Sequence, residues 1–315
     1  VRALRPPRQP VDPWRPLDVL RERERTPSGA VEEGLTVFLA GRECPFTCVF
    51  CDLWRHTLDG PTPAGAIPRQ IELALAKTES EARPLPTSWI KLYNASNFFD
   101  PLAVPREDWP AIGKWLAPFE RVIVECHPRM VGESCERFAE LLGWRLEVAM
   151  GLETAEPRAL AKLNKAMTVE DFDAAAGRLR EAAIGFRAFV LVGTPYLSRA
   201  ESLEWTVRST EHALEAGAEI VSLIPVRGGN GELERLAAEG EFVPPTLAEV
   251  EEAFERCLEG KSKAGGVVQV DTWDLDRFAT CEGCAAARIE RLGRMNLSGE
   301  RESPVRCEAC GAGKG

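Results

Sequence analysis

The chain has 315 residues, 44% of them hydrophobic and 28% charged, with a formal net charge of −10. That length suits one large α/β domain with a smaller appendage, and the composition is that of a soluble protein. The acidic balance argues against a protein that grips nucleic acid through a basic face of its own. The absence of any apolar run of about 18 residues argues against a membrane span or a signal peptide.

Residues 1–32 read as a Pro/Arg-rich arm. Five prolines between positions 6 and 16 forbid a long helix there. A loosely packed strap is the first expectation for this segment, and a nucleic-acid contact through Arg2, Arg5, Arg8 and Arg15 is the alternative. From residue 33 to 260, short apolar runs alternate with segments of helical period, the pattern of β/α units around a parallel sheet. Strands are expected at 35–40, 88–95, 121–127, 145–153, 185–193 and 219–225.

Immediately after the first of these runs comes Gly41-Arg42-Glu43-Cys44-Pro45-Phe46-Thr47-Cys48-Val49-Phe50-Cys51. A 4Fe-4S cluster is usually held by four thiolates. A three-cysteine loop therefore leaves one iron open to a small chelating molecule. Buried packing cysteines or part of a zinc site are the alternatives.

Strand alternation predicts which residues share a face. In the fourth strand Leu146, Val148, Met150 and Leu152 suit packing under helices, while Glu147, Ala149, Gly151 and Glu153 face inward. In the third, Glu125 and His127 share a face. In the fifth, Arg187 shares one with Phe189 and Leu191. Asn94, Ser96 and Asn97 follow the second strand, and Glu153 and Thr154 end the fourth. Parallel barrels place their active sites at such C-terminal strand ends. Thr168 and Asp171 predict a capped helix start. Lys165 reads as a solvated lysine, with a substrate contact the alternative, and His212 as exposed. His56 and His127 are the histidines expected near chemistry.

The tail from 261 to 315 carries a strand-like Val267-Val268-Gln269-Val270, then Cys281-x2-Cys284 and Cys307-x2-Cys310. Two such knuckles can place four sulfurs around one zinc ion. An auxiliary iron-sulfur cluster is the alternative reading. Seven of the ten cysteines fall in the two clusters. That distribution favours metal over disulfides and a reducing, cytoplasmic location. Cys126, Cys135 and Cys257 are isolated and read as packing residues.

Cys-Pro-Phe-Thr-Cys-Val-Phe-Cys resembles the C-x3-C-x-aromatic-C motif of the radical S-adenosylmethionine (SAM) enzymes. The stretches Lys91 to Pro101, Val148 to Thr154, Leu163-Asn164-Lys165 and Thr194 to Ser198 are similar, in the same order, to the archaeosine-biosynthesis radical SAM proteins. The resemblance implies a partial (β/α)6 barrel, a 4Fe-4S cluster on Cys44, Cys48 and Cys51, and SAM on the open iron. It implies one-electron cleavage of SAM to a 5′-deoxyadenosyl radical, fed by an electron donor of the flavodoxin or ferredoxin type.

For the subgroup, the resemblance implies C–N bond cleavage in a lysine-modified 7-deazaguanine base of tRNA, with a partner enzyme that attaches the lysine. By position, Phe50, Asn94, Ser96 and Asn97 would contact SAM, Glu153 its ribose and Arg187 its carboxylate. Glu125 and His127 would hold substrate or move a proton. The glycines and glutamate usual after the second strand are absent. A radical enzyme acting on a small molecule or peptide is the alternative. A non-catalytic zinc protein is a third reading, which Phe50 and the polar strand ends oppose.

Overall fold

The computed structural model describes residues 1–81, 83–260, 265–311 and 313. One eight-stranded sheet runs in the order β1 to β8 and forms a half-barrel. Its strands are β1 (Asp18–Arg25), β2 (Val31–Phe38), β3 (Trp89–Tyr93), β4 (Arg121–Glu125), β5 (Leu146–Glu153), β6 (Gly185–Val192), β7 (Ile220–Pro225) and β8 (Val267–Val270). β1 is antiparallel to β2, and every later neighbour is parallel. The helices are α1 (Ala66–Glu79), α2 (Trp109–Leu116), α3 (Glu133–Leu141), α4 (Pro157–Lys162), α5 (Val169–Glu181), α6 (Arg199–Glu215), α7 (Glu232–Ala238), α8 (Leu247–Gly260) and α9 (Glu282–Ser298). Among the described residues no helix is long and apolar enough to cross a membrane.

The six expected strands are β2 to β7. β1 comes from the predicted arm and β8 from the predicted tail, so the segments 1–32, 33–260 and 261–315 all contribute to one sheet. The arm's strand escaped notice because Asp-Val-Leu-Arg-Glu-Arg-Glu-Arg has no apolar alternation. Its Glu22 and Glu24 point into the half-barrel, where cations wait for them. α9 packs on both edge strands, β1 and β8, and spans the open seam of the sheet. The Asn296 side chain brackets Val270 there, accepting its N–H and donating to its carbonyl, each at 2.8 Å.

The strand faces follow the alternation read from the sequence. Leu146, Val148, Met150 and Leu152 are buried in the layer under the helices. Inside the half-barrel, Trp89, Ile123 and Ala149 form a separate small core with Tyr93 and Phe189. Gly34 makes room for it, since a Cβ there would stand 2.1 Å from the Trp89 ring. α5 has the expected capping box, with the Asp171 N–H donating to Thr168 and the Thr168 N–H to Asp171. Such a cap is worth about 1 kcal/mol.

The floor of the lumen is ionic. Arg187, fully buried, is gripped by both oxygens of Glu24 at 2.9 and 3.0 Å and donates its Nε to Glu147. Lys91 reaches Glu24 at 2.7 Å and lies over the Trp89 ring. Gln269 on β8 donates to Ser222 and to Glu24, joining the two sheet edges from inside. This corrects the expectation for Arg187. Its inward face was read correctly, but it stands low in β6 with all three guanidinium nitrogens bound to the carboxylates of Glu24 and Glu147, which makes it a structural cation.

Candidate active site at the mouth of the half-barrel

The three-cysteine loop leaves the C-terminal end of β2 and is tied down on every side. Gln70 on α1 brackets Ala40, donating to its carbonyl and accepting its N–H. Glu43 receives Arg5 at 2.6 Å and also Arg8, and the Arg5 guanidinium lies 4.7 Å from the Trp54 ring centroid. Two of the arm's arginines are thus spent on the loop, so the strap reading fits them and the nucleic-acid reading does not. Asn164 donates to the Thr47 carbonyl and hydroxyl, each at 2.7 Å. Asn230 donates to the carbonyls of Val49 and Cys51 at 2.8 and 3.3 Å.

Cys44, Cys48 and Cys51 are free thiols, half-buried, at the centre of this mooring. Burial pushes the first two up to about 11 and Cys51 up to about 12. Phe50, between the anchored residues, packs against the main core.

Beside the loop lies a set of polar groups that the protein leaves unsatisfied. Asn94 is 0% exposed, and neither end of its amide has a partner; the Ser96 hydroxyl and the Asn97 Nδ2 are buried and unpaired as well. Buried amides without partners are costly, and a bound polar molecule would satisfy them. An amine and carboxylate on a cofactor chelated next to the cysteines fit that need. The Asn94 N–H donates to Glu125 at 3.2 Å, and burial, outweighing that bond, pushes the Glu125 carboxyl up to about 7.

Glu153 sits at a register shift in β5 with φ of +68°, which turns its side chain across the mouth onto Lys165 at 2.8 Å. Gly151 permits that approach, since a Cβ there would meet Glu153 Oε1 at 1.9 Å and Lys165 Nζ at 2.7 Å. Lys165 is therefore a buried ion-pair partner, which corrects the solvated reading. His127 lies two residues beyond the end of β4, capping the turn that follows, and its chemistry differs from the expectation. Its ring stacks on Phe46 with centroids 3.6 Å apart, Nδ1 accepts the Arg129 N–H, and Nε2 meets the Lys165 carbonyl at 2.9 Å. Burial and the neighbouring Lys165 charge push its pKa down to about 3. A neutral imidazole with both nitrogens engaged clamps the loop and leaves no site for proton transfer. His212 is half-buried and contacts Asp173 on α5, away from these residues. His56 is half-buried in the turn after the cysteine loop.

Asn94, Ser96, Asn97, Glu125 and Glu153 thus come together with the three cysteines. Arg187 does not. Asn164 and Asn230 were missed as site residues. The run Gly228-Gly229-Asn230-Gly231 straight after a strand was the available signal for the second.

The tail cysteines form a second centre. Cys281, Cys284, Cys307 and Cys310 bring their sulfurs within 4.8 Å of one another, with Cys281 to Cys307 at 4.0 Å and Cys284 to Cys310 at 3.8 Å. Arg288 and Arg291 of α9 pair with Glu251 and Glu255 of α8 and fasten this hairpin to the barrel. Four free sulfurs so close together can hold a metal ion.

No protein-family model matches the chain. It is 22% identical over 312 residues to an uncharacterised protein of Methanocaldococcus jannaschii, covering 94% of this chain and 83% of the relative. It is 25% identical over 253 residues to the archaeosine synthase subunit beta of Methanosarcina acetivorans, covering 77% and 70%. Among solved structures it resembles Elp3 of Methanocaldococcus infernus, with a TM-score of 0.54 and 16% identity, covering 72% of this chain and 59% of that one. The chain therefore spans less than two thirds of Elp3, and the likeness is one of fold. The half-barrel is the architecture the sequence led us to expect, and an archaeosine synthase subunit is among the relatives it led us to expect.

Proposed function

We propose that the protein is a radical SAM enzyme acting on a base of tRNA, with a 4Fe-4S cluster on Cys44, Cys48 and Cys51 and SAM beside it. The observation that carries this reading is the moored three-cysteine loop standing next to the unsatisfied amides of Asn94 and Asn97. When bound, cluster and cofactor supply one-electron cleavage of SAM and a radical able to take a hydrogen atom. The chain's own residues do the rest. Asn94, Ser96 and Asn97 bind and orient the amino-acid end of SAM. Glu153, held by Lys165, lines the opposite side of the mouth and is placed for a ribose. Glu125, poised near neutrality, holds or moves a substrate proton. His127 and Phe46 keep the loop in place and dry.

The tRNA part of the reading is supported by the likeness to the archaeosine synthase subunit, whose name also suggests a partner subunit here. A one-electron donor and a reducing, cytoplasmic setting complete the proposal; every cysteine among the described residues is a free thiol. The net charge of −10 favours a second reading, a small-molecule or peptide substrate. The deciding measurement is anaerobic 5′-deoxyadenosine formation with tRNA bearing the modified base, with unmodified tRNA, and with none. Stimulation by the first alone is expected. A protein that binds no iron and cleaves no SAM would sink the enzyme reading, and SAM cleavage indifferent to RNA would favour the second.

For the tail centre we assign a single zinc ion. Tetrahedral zinc with Zn–S bonds of about 2.3 Å sets its sulfurs about 3.8 Å apart. In a 4Fe-4S cluster each thiolate caps a different iron, which spreads the sulfurs further. The separations of 3.8 and 4.0 Å support one ion. Metal analysis should give one zinc per chain beside the cluster iron. Cys284→Ser should lose the zinc, keep the iron, and expose the tail to protease. Retention of zinc, or iron loss confined to the tail, would overturn the assignment.

A further inference from the structure

Four aromatic rings lead from solvent into the lumen. Trp273, 41% exposed, lies with its ring centroid 4.8 Å from that of Phe38; Phe38 is 6.2 Å from Tyr93, and Tyr93 is 6.3 Å from Phe189. Phe38 and Tyr93 end β2 and β3 on the inward face, so the row runs across the mouth. The turn that presents Trp273 is fixed. Arg227 donates to the Asp271 carboxylate at 2.7 Å and to the Trp273 carbonyl, and the Trp273 N–H donates to Asp271 at 3.0 Å.

One turn further along the same loop, Arg277 donates to the Gly228 carbonyl at 3.0 Å. Its guanidinium and that of Arg55 converge on Gly229, standing 3.9 and 3.7 Å from the point a Cβ there would occupy. The Glu234 carboxylate on α7 is engaged by the N–H groups of Gly229 and Gly231. Among the described residues neither arginine forms an ion pair, and the Arg55 Nε is buried without a partner. Two uncompensated guanidiniums held together on an acidic protein mark a place for an anion. They adjoin Asn230, and hence the cysteine loop.

A ring face and a guanidinium one turn apart on one loop, joined by Arg55 from the turn after the cysteine loop, match the base and the phosphate of a single nucleotide. We propose that residues 271–278 read a nucleotide of an RNA substrate, with Trp273 and Phe38 taking the base face and Arg277 and Arg55 the adjoining phosphate. The proposal rests on the nucleic-acid reading of the active site. It gives an acidic protein a local route to RNA, because stacking is independent of net charge and the guanidinium fork matches a phosphate.

The test is fluorescence anisotropy of labelled bulk tRNA binding to the iron-loaded protein, over a range of salt, for wild type, Trp273→Ala, Trp273→Phe and Arg277→Ala. Trp273→Ala should bind about tenfold more weakly, while Trp273→Phe stays near wild type. Arg277→Ala should weaken binding and lower the slope of log affinity against log salt by about 0.7 to 0.9, the loss of one phosphate contact. Trp144→Ala, which removes an exposed tryptophan in the turn before β5, should bind as wild type does. Iron content and melting temperature at wild-type values separate lost recognition from lost folding. Wild-type affinity and slope in both Trp273→Ala and Arg277→Ala would overturn the proposal. A wild-type protein that cleaves SAM but binds no RNA would overturn the nucleic-acid reading beneath it.

Discussion

Cys48→Ser is expected to lose the cluster iron and all measurable SAM cleavage, and the same result should follow for Cys44→Ser and Cys51→Ser. The loss should exceed the roughly 10- to 100-fold that removing an outer-shell partner of a metal site costs. An outer-shell comparison exists in the same loop. Asn230→Ala removes the donor to the Val49 and Cys51 carbonyls and leaves every sulfur in place, so it should reduce iron retention and activity by that smaller factor. Burial raises all three thiols to about 11 or 12, so in the empty loop they are neutral at pH 7, and iron must displace their protons. Cluster assembly should therefore speed up as pH rises. Cys126→Ser is the control, since Cys126 is buried in the main core, and iron per chain should be unchanged. Iron per chain, visible absorption and 5′-deoxyadenosine yield read the series. Full iron in Cys48→Ser would remove the basis of the proposed function.

The second large effect is on stability. Arg187→Met should cost about 3 to 5 kcal/mol, because it leaves Glu24 and Glu147 charged in the lumen without their shared cation. With an unfolding entropy of about 2.1 cal/mol/K per residue, a chain of 315 residues shifts by about 1.5 °C per kcal/mol, so the melting temperature should fall by about 5 to 8 °C. The pH dependence tests the cause. Burial alone would raise the Glu24 pKa, but Arg187 and Lys91 outweigh it and hold the carboxyl well below the usual range. A depressed carboxylate pKa contributes stability that is present above the unfolded value, about 4.3, and is lost as pH falls below it. In Arg187→Met that contribution is largely gone, so the deficit measured by urea unfolding should be large from pH 7 down to about pH 4 and shrink only as the pH falls further, towards the depressed folded value. A variant with wild-type stability and weakened SAM binding would instead restore the cofactor role first expected for Arg187.

These two sites show where the sequence could be read and where it could not. The spacing of Cys44, Cys48 and Cys51, and the apolar run before them, are local facts, and they placed the three-cysteine loop correctly at a strand end. The alternation in Leu146 to Glu153 likewise gave both faces of β5, because a strand's side chains have a period of two whatever surrounds them. Arg187 was legible as an inward residue. Its partner Glu24 was not, because Glu24 lies 163 residues away in a strand whose charged sequence conceals it.

His127 and Lys165 failed for a related reason. Both were judged by residue type and position, yet what each does is set by neighbours that arrive from other segments, Phe46 and Arg129 for one and Glu153 for the other. The mooring of the loop by Arg5, Asn164 and Asn230 belongs with them. Each is an ordinary polar residue until folding brings it to a particular carbonyl or carboxylate.

The sequence by itself determined the β/α units of a parallel sheet, the three-cysteine loop at a strand end and the four-cysteine tail, because periodicity and ligand spacing are properties of contiguous chain; the partial barrel was expected from the family resemblance. Only the tertiary structure decided that the arm and the tail complete the sheet, that the lumen floor is a closed ionic network, and that Asn94 and Asn97 are left wanting a partner. The physical reason is the same in each case. Burial decides what a polar group is worth, and burial depends on segments that the chain brings together from far apart.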